Sequence, residues 1–143
     1  MRKFLFATIF LFSFVMNGFS QVASSCENVT TFSKNSKPDL GIVIYSGDAE
    51  TVWNALRLAT LSQSKGDTVV IYVLGKGVDV FMAENKTFDI KALSDKFWAN
   101  GGQILTCATC AKLRGTEEVK SCTITSLADL YEIVKRSKKI LTF

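Results

Sequence analysis

The chain has 143 residues, a length for one domain rather than two, with 17 basic and 13 acidic side chains and a formal charge of +4. That near balance gives no argument for a nucleic-acid partner or for an anionic membrane surface. There is no histidine, which removes every mechanism that needs an imidazole base, a Cys–His pair or a histidine-ligated metal.

Met1-Arg2-Lys3 is a basic start, Phe4 to Met16 is apolar except for Thr8 and Ser13, and Gly18-Phe19-Ser20 places small residues at alternate positions. This is the layout of a secretory signal peptide over residues 1–20, cleaved after Ser20. The apolar run is too short for a bilayer core of about 30 Å. An exported, periplasmic protein with no membrane segment after cleavage is therefore expected. Residues 21–39 are rich in Ser, Thr, Asn and Lys without apolar period and read as a flexible N-terminal tail. Cys26, behind Ala23-Ser24-Ser25, faintly resembles a lipoprotein processing site. The apolar run ends well upstream of it, so a lipid anchor there is the weaker reading.

The folded domain is expected over residues 40–143. Gly41-Ile42-Val43-Ile44-Tyr45 is a continuous apolar run of the kind found in strands buried on both faces of a parallel sheet. Asp48 is a natural N-cap for a helix from Ala49 to Ser64, whose inward stripe is expected to be Val52, Ala55, Leu56, Leu58 and Ala59. Thr68 to Leu74 follows as a second strand, completing a right-handed βαβ unit. Gly75-Lys76-Gly77 lacks the spacing of a phosphate-binding loop and reads as a tight turn. Val78 to Glu84 is expected as a short helix. Ile90 to Asn100 is expected as a longer one, carrying Leu93, Phe97 and Trp98 and stopped by Gly101-Gly102. Gln103 to Thr106 is a third strand and Ala108 to Leu113 a helical turn. A charged loop, Thr116 to Lys120, leads to a short strand from Ser121 to Thr125. Ser126 opens a helix to Ser137, with Leu127, Leu130, Tyr131 and Val134 expected on its core side. Ile140 to Phe143 is the last strand. Strands alternating with helices specify a three-layer α/β/α domain with a mostly parallel sheet of four or five strands. Sites in such sheets form at the carboxyl ends of the strands, where the Ser46 turn, the Gly75 turn and Cys107 all fall.

Four cysteines follow the leader, at positions 26, 107, 110 and 122. One C-x-x-C plus two isolated cysteines falls short of a four-thiolate zinc site, and neither metal nor cofactor is expected. Cys107-Ala108-Thr109-Cys110 at the end of a strand fits two readings: reactive thiols, or a structural disulfide or core thiols. Backbone amides at a strand-to-helix junction, with Lys112 and Arg114 close by, would lower the Cys107 thiol. A thioredoxin-type site fits poorly, because Thr106 rather than tryptophan precedes the motif and no proline follows it.

Gly101-Gly102-x-Ile104-Leu105-x-Cys107-x-x-Cys110-x-x-x-Arg114-Gly115 resembles the DsrE/DsrF-like family. So do Gly77-Val78 and the segment Cys122-x-Ile124-x-Ser126-Leu127-x-Asp129-Leu130-Tyr131. The resemblance implies a compact α/β fold, a homo-oligomer (trimer or hexamer) and relay of sulfur as a cysteine persulfide. By this resemblance Cys107 corresponds to the sulfur-accepting cysteine, Arg114-Gly115 to the R-G that follows it, and Cys110 to a second thiol found in a subset of the family. The implied protein is a sulfur carrier or sulfurtransferase-like protein rather than a turnover enzyme, with a donor or acceptor protein as partner. Periplasmic thiol–disulfide exchange, and an oligomeric binding module with a structural disulfide, are the alternatives.

Overall fold

The β-branched runs become strands, and the segments between them become helices, in the computed structural model, which describes residues 37–115 and 122–143. The leader, nearly all of the tail with Cys26, the charged loop and Ser121 lie outside the described residues. The strands are β1 (Leu40–Ile44), β2 (Val69–Val73), β3 (Gln103–Cys107), β4 (Thr123–Thr125) and β5 (Lys139–Thr142). They form one sheet in the order β4-β3-β2-β1-β5, and every neighbouring pair is parallel. The helices are α1 (Ala49–Ser64), α2 (Gly77–Met82), α3 (Ile90–Ala99), α4 (Ala108–Leu113) and α5 (Leu127–Arg136). The fold is α/β with helices on both faces, and the sheet is wholly parallel rather than mostly so. Several strand ends also shift by a residue or two: β1 spans Leu40 to Ile44, β2 is trimmed to Val69–Val73, β3 runs on through Cys107, β4 starts at Thr123, and β5 runs from Lys139, where pairing with Leu40 begins, to Thr142.

Two capped helices build one face. The Asp48 carboxylate accepts the Thr51 N–H at 2.8 Å to start α1, and Asp89 accepts the Ala92 N–H at 2.8 Å to start α3. α3 stops at Gly101, whose φ of +83° is left-handed. α1 buries Val52, Ala55, Leu56 and Ala59, while Leu58 stays at the surface. α3 buries Ile90, Ser94 and Phe97, with Trp98 turned outward. These side chains close over Ile42, Ile44, Ile71, Val73 and Ile104 of the sheet.

α5 departs from expectation. It packs on the opposite face, where Ile133 seats against Val70, Tyr72, Leu105 and Cys107 with Leu130 alongside. Ile133 is its one fully buried residue. Leu127, Tyr131 and Val134, expected on the core side, are 65%, 62% and 52% exposed. The reason is the contact line: α5 lies close enough over Gly41 that a Cβ there would stand 3.0 Å from an Ile133 methyl. The helix therefore turns its Ile133 side inward and the 127-131-134 stripe away from the sheet. Among the described residues no helix is long and apolar enough to cross a membrane.

Candidate functional site

The carboxyl ends of β1, β2 and β3 converge, and glycine makes the approach possible. Gly77, the first residue of α2, lies so near the end of β1 that a Cβ would stand 2.9 Å from the Ile44 carbonyl oxygen. The turn before it brings the Gly75 N–H to the Cys110 sulfur at 3.2 Å. Lys76 sits against Gly47, so the turn after β1 touches the turn after β2. The expected meeting of the Ser46 turn, the Gly75 turn and the cysteines is thus what the fold builds.

Cys107 is at once the last residue of β3 and the N-cap of α4. Its sulfur accepts the Cys110 N–H at 3.4 Å, and the Thr109 amide, the Cys110 thiol and the Tyr72 hydroxyl also reach it. Burial works to raise this thiol. The hydrogen bonds outweigh burial and hold it below the ordinary cysteine range. Cys110 goes the other way: burial and the neighbouring Cys107 raise it, against the Gly75 amide and the Arg114 charge. The pair is therefore asymmetric, with Cys107 the readier thiolate. Both thiols are free.

Arg114 closes α4. Its guanidinium donates to the Cys110 carbonyl at 3.2 Å and pairs with Asp79 of α2 at 2.7 Å. Its charge is felt at Cys110, and its bonds tie α4 to α2 so that the Thr109 and Cys110 amides stay aimed at the Cys107 sulfur. Lys112 is exposed. Cys122 lies elsewhere: it packs against the core under α1 and α3, whereas Cys107 belongs to the cluster under α5. Burial, partly offset by the nearby Thr106 hydroxyl, pushes the Cys122 thiol up to about 12.

One member of the site is not among the residues singled out from the sequence. Tyr72 is a fully buried tyrosine within the apolar run Val69-Val70-Ile71-Tyr72-Val73. A buried phenol requires a hydrogen-bond partner, and that requirement was the available signal. Its hydroxyl donates to the Ser126 carbonyl at 2.9 Å. Burial and the adjacent Cys107 push the pKa of this phenol up, keeping it protonated.

A cavity of about 380 Å³ opens at the other end of the sheet, among Gln63, Asp67, Thr68, Asn100 and Gln103. No cysteine lines it, and the Gln63 side-chain nitrogen is already engaged by the Phe97 and Asn100 carbonyls, so thiol chemistry rather than cavity size points to the C-x-x-C as the candidate site. Among the described residues no cluster of three or more Cys, Asp or Glu could hold a metal ion.

Comparison with solved structures gives a conserved protein of unknown function from Bacteroides thetaiotaomicron, similar at 21% identity with a TM-score of 0.62 over 73% of this chain and 95% of that chain. At that identity the likeness shows the fold. No curated protein matches. The sequence model of one family matches residues 39–143, which is the whole α/β domain. The chain belongs to the DsrE/DsrF-like family, which is associated with sulfur relay.

Proposed function

We propose that the protein is an exported sulfur carrier that holds sulfur as a persulfide on Cys107, with Cys110 as its second thiol. The observation that carries the reading is the set of donors converging on one sulfur, which favours its anionic form. The Cys107 thiolate attacks the outer sulfur of a donor persulfide or polysulfide. The donor's S–S bond breaks as the new one forms, the donor leaves as a thiolate, and no external oxidant or reductant is consumed. An acceptor thiolate removes the sulfur by the same displacement. If Cys110 attacks the Cys107 sulfur instead, hydrosulfide leaves, a Cys107–Cys110 disulfide forms, and a thiol reductant restores the pair. In a chain without histidine this is carrier chemistry rather than turnover. Arg114 contributes by holding α4 in place. The basic-apolar-small layout of residues 1–20 supports export.

The same asymmetric pair also suits thiol–disulfide exchange, and one experiment separates the two. On incubation with inorganic polysulfide, the wild-type chain and Cys110→Ser are expected to gain one persulfide each, and Cys107→Ser none. Labelling that survives in Cys107→Ser defeats the carrier reading. Failure of Cys110→Ser to retain sulfur, alongside rapid wild-type reduction of a disulfide substrate, favours exchange.

A further inference from the structure

We propose that the Tyr72 hydroxyl is a switching donor to Cys107: it rests on the Ser126 carbonyl while the sulfur is neutral and turns to the sulfur once it is anionic. The proposal deepens the sulfur-carrier reading and rests on it for the persulfide form of that anion. Register pairs Tyr72 of β2 with Leu105 of β3, so the phenol must reach along β3 to meet Cys107, two residues further on and on the same face. The hydroxyl donates to the Ser126 carbonyl at 2.9 Å, and Tyr72 shares with Cys107 the buried cluster under α5, close enough to favour the anionic form of its sulfur. A phenol has one proton to give, so the two acceptors compete for it.

The competition has a clear direction. A neutral thiol is a weak acceptor and loses to a peptide carbonyl, whereas hydrogen bonds to charged groups are roughly twice as strong as neutral ones and win. The phenol stays protonated throughout, so it remains a donor. Other groups facing this pair are few. Cys110 approaches from α4, with Arg114 acting through it, and Thr125 from β4. Asp129 in the first turn of α5 has its carboxylate spent on the Ser126 N–H and hydroxyl.

Tyr72→Phe removes the hydroxyl and leaves the ring in place. Alkylation of Cys107 by iodoacetamide, followed by peptide mass spectrometry across pH, reads the result. The midpoint is expected to move up in pH, with labelling at neutral pH about tenfold slower. A merely structural role would not move the midpoint, and an unchanged midpoint overturns the proposal. A second measurement needs no variant at position 72. With ¹³C-labelled tyrosine, the Tyr72 ring resonance is expected to shift in step with Cys107 ionisation and to lose that step in Cys107→Ser; its absence in the wild-type chain overturns the proposal. If neither wild type nor Tyr72→Phe takes sulfur from polysulfide while the midpoints differ, the carrier reading fails and the Tyr72 switch stands.

Discussion

A limiting dose of iodoacetamide at neutral pH is expected to label Cys107 ahead of Cys110 and to leave Cys122 untouched. The ranking follows from the three environments. Cys122, pushed up to about 12 by burial, holds roughly one thiolate in 10⁵ at pH 7. Cys110 is raised by burial and by Cys107 beside it, and Cys107 is lowered by the amide, thiol and phenol groups around its sulfur. Two effects oppose the selectivity. A more acidic thiol gives a less nucleophilic thiolate, but the Brønsted slope of about 0.4–0.5 means that the gain in thiolate fraction wins below the ordinary cysteine range. Access is the other. Cys107 is 7% exposed, so the small reagent is required and a bulky maleimide is expected to lose the preference. The pH dependence carries the same sign: Cys107 labelling should level off at lower pH than labelling of a free thiol peptide. Cys110 labelling first, or a Cys107 plateau above the peptide's, would contradict the assignment of Cys107 as the reactive sulfur.

The second large effect concerns the strand that delivers that sulfur. Gly102→Ala is expected to destabilise the protein by about 1–3 kcal/mol through overpacking. A Cβ at Gly102 would stand 2.4–2.6 Å from three atoms of the Phe97 ring. That ring has no solvent exposure and is set among Ile71, Ile104 and the α1 side chains, so it has little room to withdraw. Gly102 immediately precedes β3, so relief of the clash moves the strand that ends at Cys107. Urea denaturation measures the cost, and pairing with Phe97→Leu measures its cause. If the clash is responsible, the double variant recovers part of the loss. A Gly102→Ala change within about 0.5 kcal/mol of wild type would show that the core yields there, within the range of an ordinary surface substitution.

The fold was legible because its strands are apolar runs too short and too β-branched to be helices, and because Asp48, Gly101 and Ser126 mark helix ends by their chemistry. The C-x-x-C was legible by its position after the third run. What periodicity cannot say is which apolar stripe of a helix meets the sheet. Leu127, Tyr131 and Val134 make a good stripe on paper, yet the contact line follows Ile133, because a glycine at position 41 in β1 leaves the space it fills. Nor can spacing show where a cation will point. Arg114 is placed by Asp79, a residue 35 positions away in sequence, so its guanidinium braces the backbone of Cys110. Tyr72 was hidden for a third reason: one hydroxyl in a buried strand has no pattern, and its meaning comes only from the neighbouring strand and the start of α5.

The central claim is that Cys107 carries sulfur, and mass spectrometry of the protein purified from its native compartment tests it most directly. The intact chain is expected to begin at Gln21 and to include a species heavier by one sulfur atom, removed by dithiothreitol. Peptide mapping after alkylation should place that sulfur on Cys107. Native protein with Cys107 and Cys110 joined in a disulfide, and no sulfur-bearing species after mild reduction and exposure to polysulfide, would contradict it.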